Sequence, residues 1–269
     1  MSVFCGVSTW TSGPTGPAGK ERASDQAPEV SPCQSCQLYG LRKETGCDPL
    51  SSCVKTSYAR HIDRFFRNNP SLAPRFASDP YFEVRAIVTR YLSAETLRKM
   101  VRDPDETVRM NVALFLPAGS LKCMMNDSER EVRIRVAARL PVALLPMMVA
   151  DPDYFVRHQV ALRIASSALV SMKSDPDPEV RRVVARRVSA PHHLDLMQDP
   201  DALVRIEVLE RGGPCLWTEA LEDTDVRVRF WLAQRTTGES LRRMALDPDP
   251  FIHQIARRRL FEENSRRAS

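Results

Sequence analysis

The sequence predicts an all-α protein, an α-solenoid of stacked helical units behind a small cysteine-rich module. Three observations predict it. Asp-Pro recurs at 79, 103, 151, 175, 199 and 247, and Asp127-Ser and Asp223-Thr fill the two gaps, so every step is 24 residues. Each aspartate is followed at fixed distances by apolar residues on one helical face. Four of the seven cysteines fall within 21 residues, ahead of the repeats.

The repeat elements follow in order. Val84, Val108, Val132, Val156, Val180, Val204, Val228 and Ile252 stand five residues after each aspartate. Four residues on come Val88, Val112, Val136, Val160, Val184, Val208, Leu232 and Ala256. Leu92, Leu116, Leu140, Ile164 and Val188 continue the row four residues later. This spacing predicts a helix of about 12 residues per unit, such as Pro104 to Leu116. The Asp of each Asp-Pro is the expected N-cap and the Pro the expected first helical residue. On that reading Asp175→Ala costs about 1 kcal/mol.

The second half of each unit carries Leu97, Leu121, Leu145, Leu169, Trp217 and Leu241, then Met100, Met124, Met148, Met172, Ala220 and Met244 three residues on. Spacing of three over a short run, with Pro146 inside one copy, predicts a 3₁₀-type turn. One such pair of helices cannot bury its own apolar face, so the units must stack in two layers.

Arg85, Arg109, Arg133, Arg157, Arg181, Arg205 and Arg229 form a periodic ladder. Seven stacked like charges repel one another, so a network with interleaved acids that sets the stacking register is expected. A surface for an acidic partner or a nucleic-acid backbone is the alternative.

The predicted organisation is a disordered Gly/Pro/Ser-rich tail at 1–30, a cysteine module at 31–56, a degenerate repeat or cap at 57–78, eight repeats at 79–262 and a frayed tail at 263–269. Charge divides the same way. Residues 79–269 hold 30 Lys and Arg against 28 Asp and Glu, so the formal net charge of +5 is no basic face for nucleic acid. Lys55, Arg60, Arg64, Arg67 and Arg75 against Asp63 form a local basic cluster. No run of 18 apolar residues is present, so no transmembrane helix is expected. The opening MSVFCGVSTW lacks the charged and long apolar regions of a secretory signal, which points to a cytoplasmic compartment.

Cys33, Cys36, Cys47 and Cys53 are spaced C-x2-C-x10-C-x5-C. In a reducing compartment clustered cysteines hold metal more often than they form disulfides. Four thiolates suit tetrahedral Zn²⁺ or an iron–sulfur cluster. Zinc sites more often have two close pairs and only one is present, which leans towards a cluster and leaves zinc and unbound redox-active thiols open. Cys123 and Cys215 are expected as small core residues, Cys5 as part of the tail, His61 as a surface or cap residue, and His192-His193 as a turn without metal partners. No Ser/His/Asp grouping, Gly-rich cofactor loop or pair of carboxylates outside the repeat caps appears, so no enzyme is expected. The expectation is a scaffold that binds a protein partner on the solenoid face. Nucleic acid is a weaker alternative, and no membrane partner is expected.

The Asp-Pro-x3-Val-Arg-x2-Val-Ala units behind a four-cysteine segment resemble the leucine-rich repeat variant family over roughly 33–262. The resemblance implies an N-terminal [4Fe–4S] module joined to a right-handed superhelix of alternating α- and 3₁₀-helices. It implies Cys33, Cys36, Cys47 and Cys53 as the ligands and a link to nitrogen-fixing bacteria; a cluster there is expected to serve redox sensing or one-electron transfer with a protein partner. Asp127-Ser, Asp223-Thr and Gly212-Gly213 depart from the pattern and put local helix ends in question.

Overall fold

The computed structural model describes Cys33, residues 36–44 and residues 46–268. The expected tail at 1–30, with Cys5, lies outside the described residues. The described residues are helical with no named strand, and a single antiparallel bridge joins Asp48 and Ser52. No helix is long and apolar enough to cross a membrane.

The predicted apolar rows are the core. Val84 is 1% exposed, and Val108, Val132, Val156, Val180, Val204, Val228 and Ile252 are fully buried, as is the row from Val88 to Ala256. Next to that second row lie Ala113, Ala137, Ala161, Ala185 and Ala233, also buried. Their small side chains let neighbouring helices approach closely. The unit helices Phe82–Val88, Glu106–Phe115, Arg130–Arg139, Tyr154–Arg163, Pro178–Arg187, Ala202–Gly212, Val226–Ala233 and Pro250–Ala268 each pack on the next.

The helix starts differ from expectation. In six of the eight units the N-cap is the aspartate two residues after the repeat aspartate, while Tyr81 and Glu129 hold that place in the other two without a side-chain cap. Asp105 accepts from Thr107 N–H at 2.8 Å and Val108 N–H at 3.3 Å. Asp153, Asp177, Asp201, Asp225 and Asp249 cap their helices in the same way. The Asp-Pro aspartate makes a turn instead, as Asp103 accepts from Asp105 N–H at 3.0 Å. The prolines at 80, 104, 152, 176, 200 and 248 therefore precede the helices rather than opening them.

The Asp-Pro aspartate has a second role, which explains the ladder. Arg85 Nε donates to Asp103 Oδ2 at 2.8 Å and its Nη2 to Asp103 Oδ1 at 2.8 Å. Its Nη1 donates to the Asp79 and Pro80 carbonyls. Arg109–Asp127, Arg133–Asp151, Arg157–Asp175, Arg181–Asp199, Arg205–Asp223 and Arg229–Asp247 repeat the clamp with Nε–Oδ2 distances of 2.7–2.8 Å. Each arginine thus fastens its own turn to the aspartate of the next unit. Burial works against the Asp103 carboxylate, but Arg85 and the Asp105 N–H outweigh it and hold the carboxyl below its ordinary range. The ladder arginine side chains are only 10–14% exposed, so they form the register-setting network and not a surface. Asp127-Ser and Asp223-Thr keep the same clamp, so it forms without the proline.

A second arginine ladder, missed in the sequence, runs the other way. Arg139 donates to the Ala113 and Leu116 carbonyls at 2.5 and 2.9 Å. Arg163, Arg187, Arg211 and Arg259 do the same to the last turn of the preceding unit helix. A cation there satisfies carbonyls that have no intrahelical partner. Arg235 is the exception: it lies over the Trp231 ring at 4.3 Å. Leu209 O, the carbonyl it would take, accepts from Trp217 Nε1 at 2.9 Å. The preceding helix ends at Gly212, where a Cβ would collide with the Leu216 side chain, and Gly213 has φ 69°. The apolar core divides in this unit, one part spanning Val54 to Val208 and the other Ala202 to Ala256.

The second layer is more mixed than predicted. Ala118–Met124, Val142–Met148 and Leu194–Gln198 are 3₁₀, whereas Ala94–Lys99 and Gly238–Met244 are α-helical. Pro146 lies inside one of the 3₁₀ segments, where it removes a donor that an α-turn needs. Ser93, by contrast, caps Ala94–Lys99 through Thr96 N–H at 3.2 Å. The last helix runs to Ala268, across the boundary expected at 262/263.

Candidate metal centre

The cysteine module is built from turns. Cys36 N–H donates to Cys33 O at 3.0 Å, which closes the Cys-x-x-Cys segment. The 3₁₀ segment Tyr39–Glu44 then carries the chain to Gly46. Asn69, just past helix Ala59–Asn68, donates through Nδ2 to Gly46 O at 2.8 Å and Phe65 O at 2.9 Å. A Cβ at Gly46 would meet Asn69 Oδ1 at 2.6 Å, so a larger residue here would push the Asn69 amide off its two carbonyls. The next turn decides the other pair. Asp48 and Ser52 exchange backbone hydrogen bonds at 2.9 and 2.7 Å, and Cys47 and Cys53 flank that bridge. A separation of six residues thereby becomes spatial proximity.

All four half-buried cysteines line one cleft of about 770 Å³, together with Tyr39, Arg42, Lys55, Arg75, Phe76 and Asp79. Burial first, and then repulsion from Cys53, Cys36 and Cys33, pushes the Cys47 thiol up to about 11, with Arg42 opposing. Burial also raises Cys53, against the Lys55 N–H that donates to its Sγ at 3.3 Å. Thiols held protonated in this way lose their protons when a cation binds.

The donor set, four thiols lining one cleft, fits a thiolate-ligated group, either a zinc ion or an iron–sulfur cluster.

The neighbouring residues fall out as follows. Ile62, Phe65 and Phe66 are fully buried, as the cap reading expects. His61 is half-buried and sits edge-on to Tyr58 at 4.8 Å, away from the cleft lining. It stands 18 residues before Asp79, the place of a ladder arginine, so Asp79 is the Asp-Pro aspartate without one among the described residues. Cys123 and Cys215 are exposed, contrary to the expected core role. Cys123 lies between the inward-facing Leu121 and Met124 and is turned outward by the 3₁₀ geometry, where it bonds to Ser120 O at 3.2 Å. His193 Nδ1 is buried without a partner, and His192-His193 belongs to no group able to hold a metal among the described residues.

Fold and site together define a helical repeat protein with a cysteine-lined module at the head of an arginine-locked solenoid. A solved structure described as a leucine-rich repeat variant with a novel repetitive protein structural motif is 41% identical, with a TM-score of 0.77, and the match covers 83% of this chain and 96% of that one. The chain belongs to the leucine-rich repeat variant family. Residues 26–75 match the family model described as the LRV protein FeS4 cluster, a span that contains all four cysteines. A Rhodobacter capsulatus protein described as an uncharacterized 27.7 kDa protein in the nifB 3′ region is 39% identical over 71 residues. That match covers 26% of this chain and 29% of the relative.

Proposed function

We propose that this chain is an iron–sulfur protein-interaction scaffold in which Cys33, Cys36, Cys47 and Cys53 hold a [4Fe–4S] cluster and the solenoid presents a surface to a protein partner. The observation that carries the reading is that all four thiols line one cleft, within the span that matches the FeS4 cluster family model. Bound there, the cluster would supply one-electron chemistry for redox sensing or electron transfer. The chain's own groups do the rest. The sulfurs anchor the cluster, and the Lys55 N–H to Cys53 Sγ tunes its potential. Arg42, Lys55 and Arg75 offset the thiolate charge.

No catalytic role is part of the proposal. A cytoplasmic setting, where thiols stay reduced, suits the site. The relative named for the nifB region supports a link to nitrogen-fixation metabolism. Nucleic-acid binding is weaker, since the ladder arginines that motivated it are buried in ion pairs.

Anaerobic purification with iron and sulfide analysis and EPR tests the cluster. About four irons and four sulfides per chain are expected, and Cys36→Ser should lose them while the solenoid keeps its thermal melt. A colourless protein with one zinc per chain would sink the reading. Partner affinity that is equal in the oxidised and reduced states would leave the cluster a purely structural role.

A further inference from the structure

Three cations stand on the wall of the cysteine cleft: Arg42, Lys55 and Arg75. All three are exposed, and none makes a side-chain hydrogen bond or ion pair among the described residues. Arg60 and Arg64, on helix Ala59–Asn68, are exposed and unpaired in the same sense. Among the described residues Asp79 is the one carboxylate that lines the cleft, Asp48 beside Cys47 feels the Arg42 charge, and Asp63 is engaged by Arg67 and Arg90. The contrast with the ladder is physical. There, every guanidinium reaches an aspartate 18 residues on, at the cost of being buried. Here the cations have no such partner and stay in water beside half-buried sulfurs. Unpaired like charges around an open cleft focus a positive field outward from it.

Building on the cluster reading, we propose that this basic rim is the docking surface for an acidic one-electron carrier protein. The rim seats the carrier over the cleft, with the carrier's redox centre facing the cysteines. A cluster held by the four cysteines would take up the one electron that the reduced carrier gives up, with no bond formed or broken. Charge complementarity of this kind acts mainly on the encounter rate and is screened by salt.

The test uses the full chain with its cluster reconstituted, and two acidic probes, a plant-type ferredoxin and a flavodoxin. Association is followed at about 50 and about 300 mM salt. The expected result is an association rate that falls about tenfold on adding salt, and about tenfold again in Arg42→Gln/Lys55→Gln/Arg75→Gln. Lys122→Gln, an exposed cation on the solenoid, should behave as the parent. If circular dichroism shows the triple variant misfolded, single Lys55→Gln and Arg75→Gln changes, each expected to cost about twofold, decide the matter.

Iron and sulfide are assayed on every protein, so the two ideas fail separately. Salt-dependent carrier binding without iron would sink the cluster but keep the docking surface. A full cluster with no salt-dependent binding to either carrier would overturn the docking surface. Equal loss in Lys122→Gln, or preference for duplex DNA or anionic vesicles over both carriers, would also overturn it.

Discussion

The repeats and the cysteine module use the same charged residues in opposite ways. From Asp79 onward, an arginine in one unit meets an aspartate in the next, and the pair is buried at the interface. Before Asp79 the ladder stops: His61 occupies the arginine position and the core becomes aromatic, with Phe65, Phe66 and Phe76 packed edge to face. The difference teaches that burial of charge here depends on both halves of the pair falling in register. Where an arginine stands 18 residues before an aspartate, it becomes a fastener. Where His61 takes that place, Asp79 has no such clamp, and the cations of the module remain exposed beside the thiols.

The comparison is broken most severely by Val184→Asp, which places a carboxylate at a fully buried position between stacked units. Loss of a cooperative melt is expected, with units on both sides frayed because each depends on its neighbours. An unchanged melt would contradict the solenoid.

Asp175→Ala comes next. Asp175 is 8% exposed and clamps Arg157, so its removal leaves a buried guanidinium short of its partner and should cost about 3 kcal/mol in urea unfolding. A cost of about 1 kcal/mol would return Asp175 to a simple N-cap role. Arg163→Gln removes two carbonyl bonds to the preceding unit and should cost about 2 kcal/mol. Arg235→Gln is the internal control, with about 1 kcal/mol or less expected from the lost stacking on Trp231. Equal costs would deny that the second ladder is interrupted there.

Asp225→Ala is of the same small size, at about 1 kcal/mol for a lost N-cap. Arg227 and its N–H hold the Asp225 carboxyl down at about 2. Its folded value thus lies below that of the unfolded chain, so its contribution is full above about pH 4 and fades as pH falls towards 2. Acid titration of parent and variant melts should converge in that window.

Much of the fold was legible because the repeat is local. The Val84-to-Ile252 row is a statement about one face of one helix, and helix geometry alone turns its spacing into burial. The second arginine ladder was just as periodic, at 139, 163, 187, 211, 235 and 259, but its partners are backbone carbonyls, which carry no residue signature. Cys123 was misplaced because its neighbours Leu121 and Met124 face inward and a 3₁₀ turn sends the residue between them out. In the site, the residue types and the Cys33–Cys36 pair were plain. Convergence of Cys47 with Cys53 depended on the Asp48–Ser52 bridge, and the position of that loop on Asn69.

The sequence by itself determined the period, the buried rows, the stacking and the set of four thiols, because each depends on spacing along one chain segment. Tertiary structure alone decided what each Asp-Pro aspartate does. An aspartate before proline has the local chemistry of a helix cap, and nothing within its own unit reveals that its carboxylate belongs to an arginine 18 residues back, across an interface that exists only once the units have stacked.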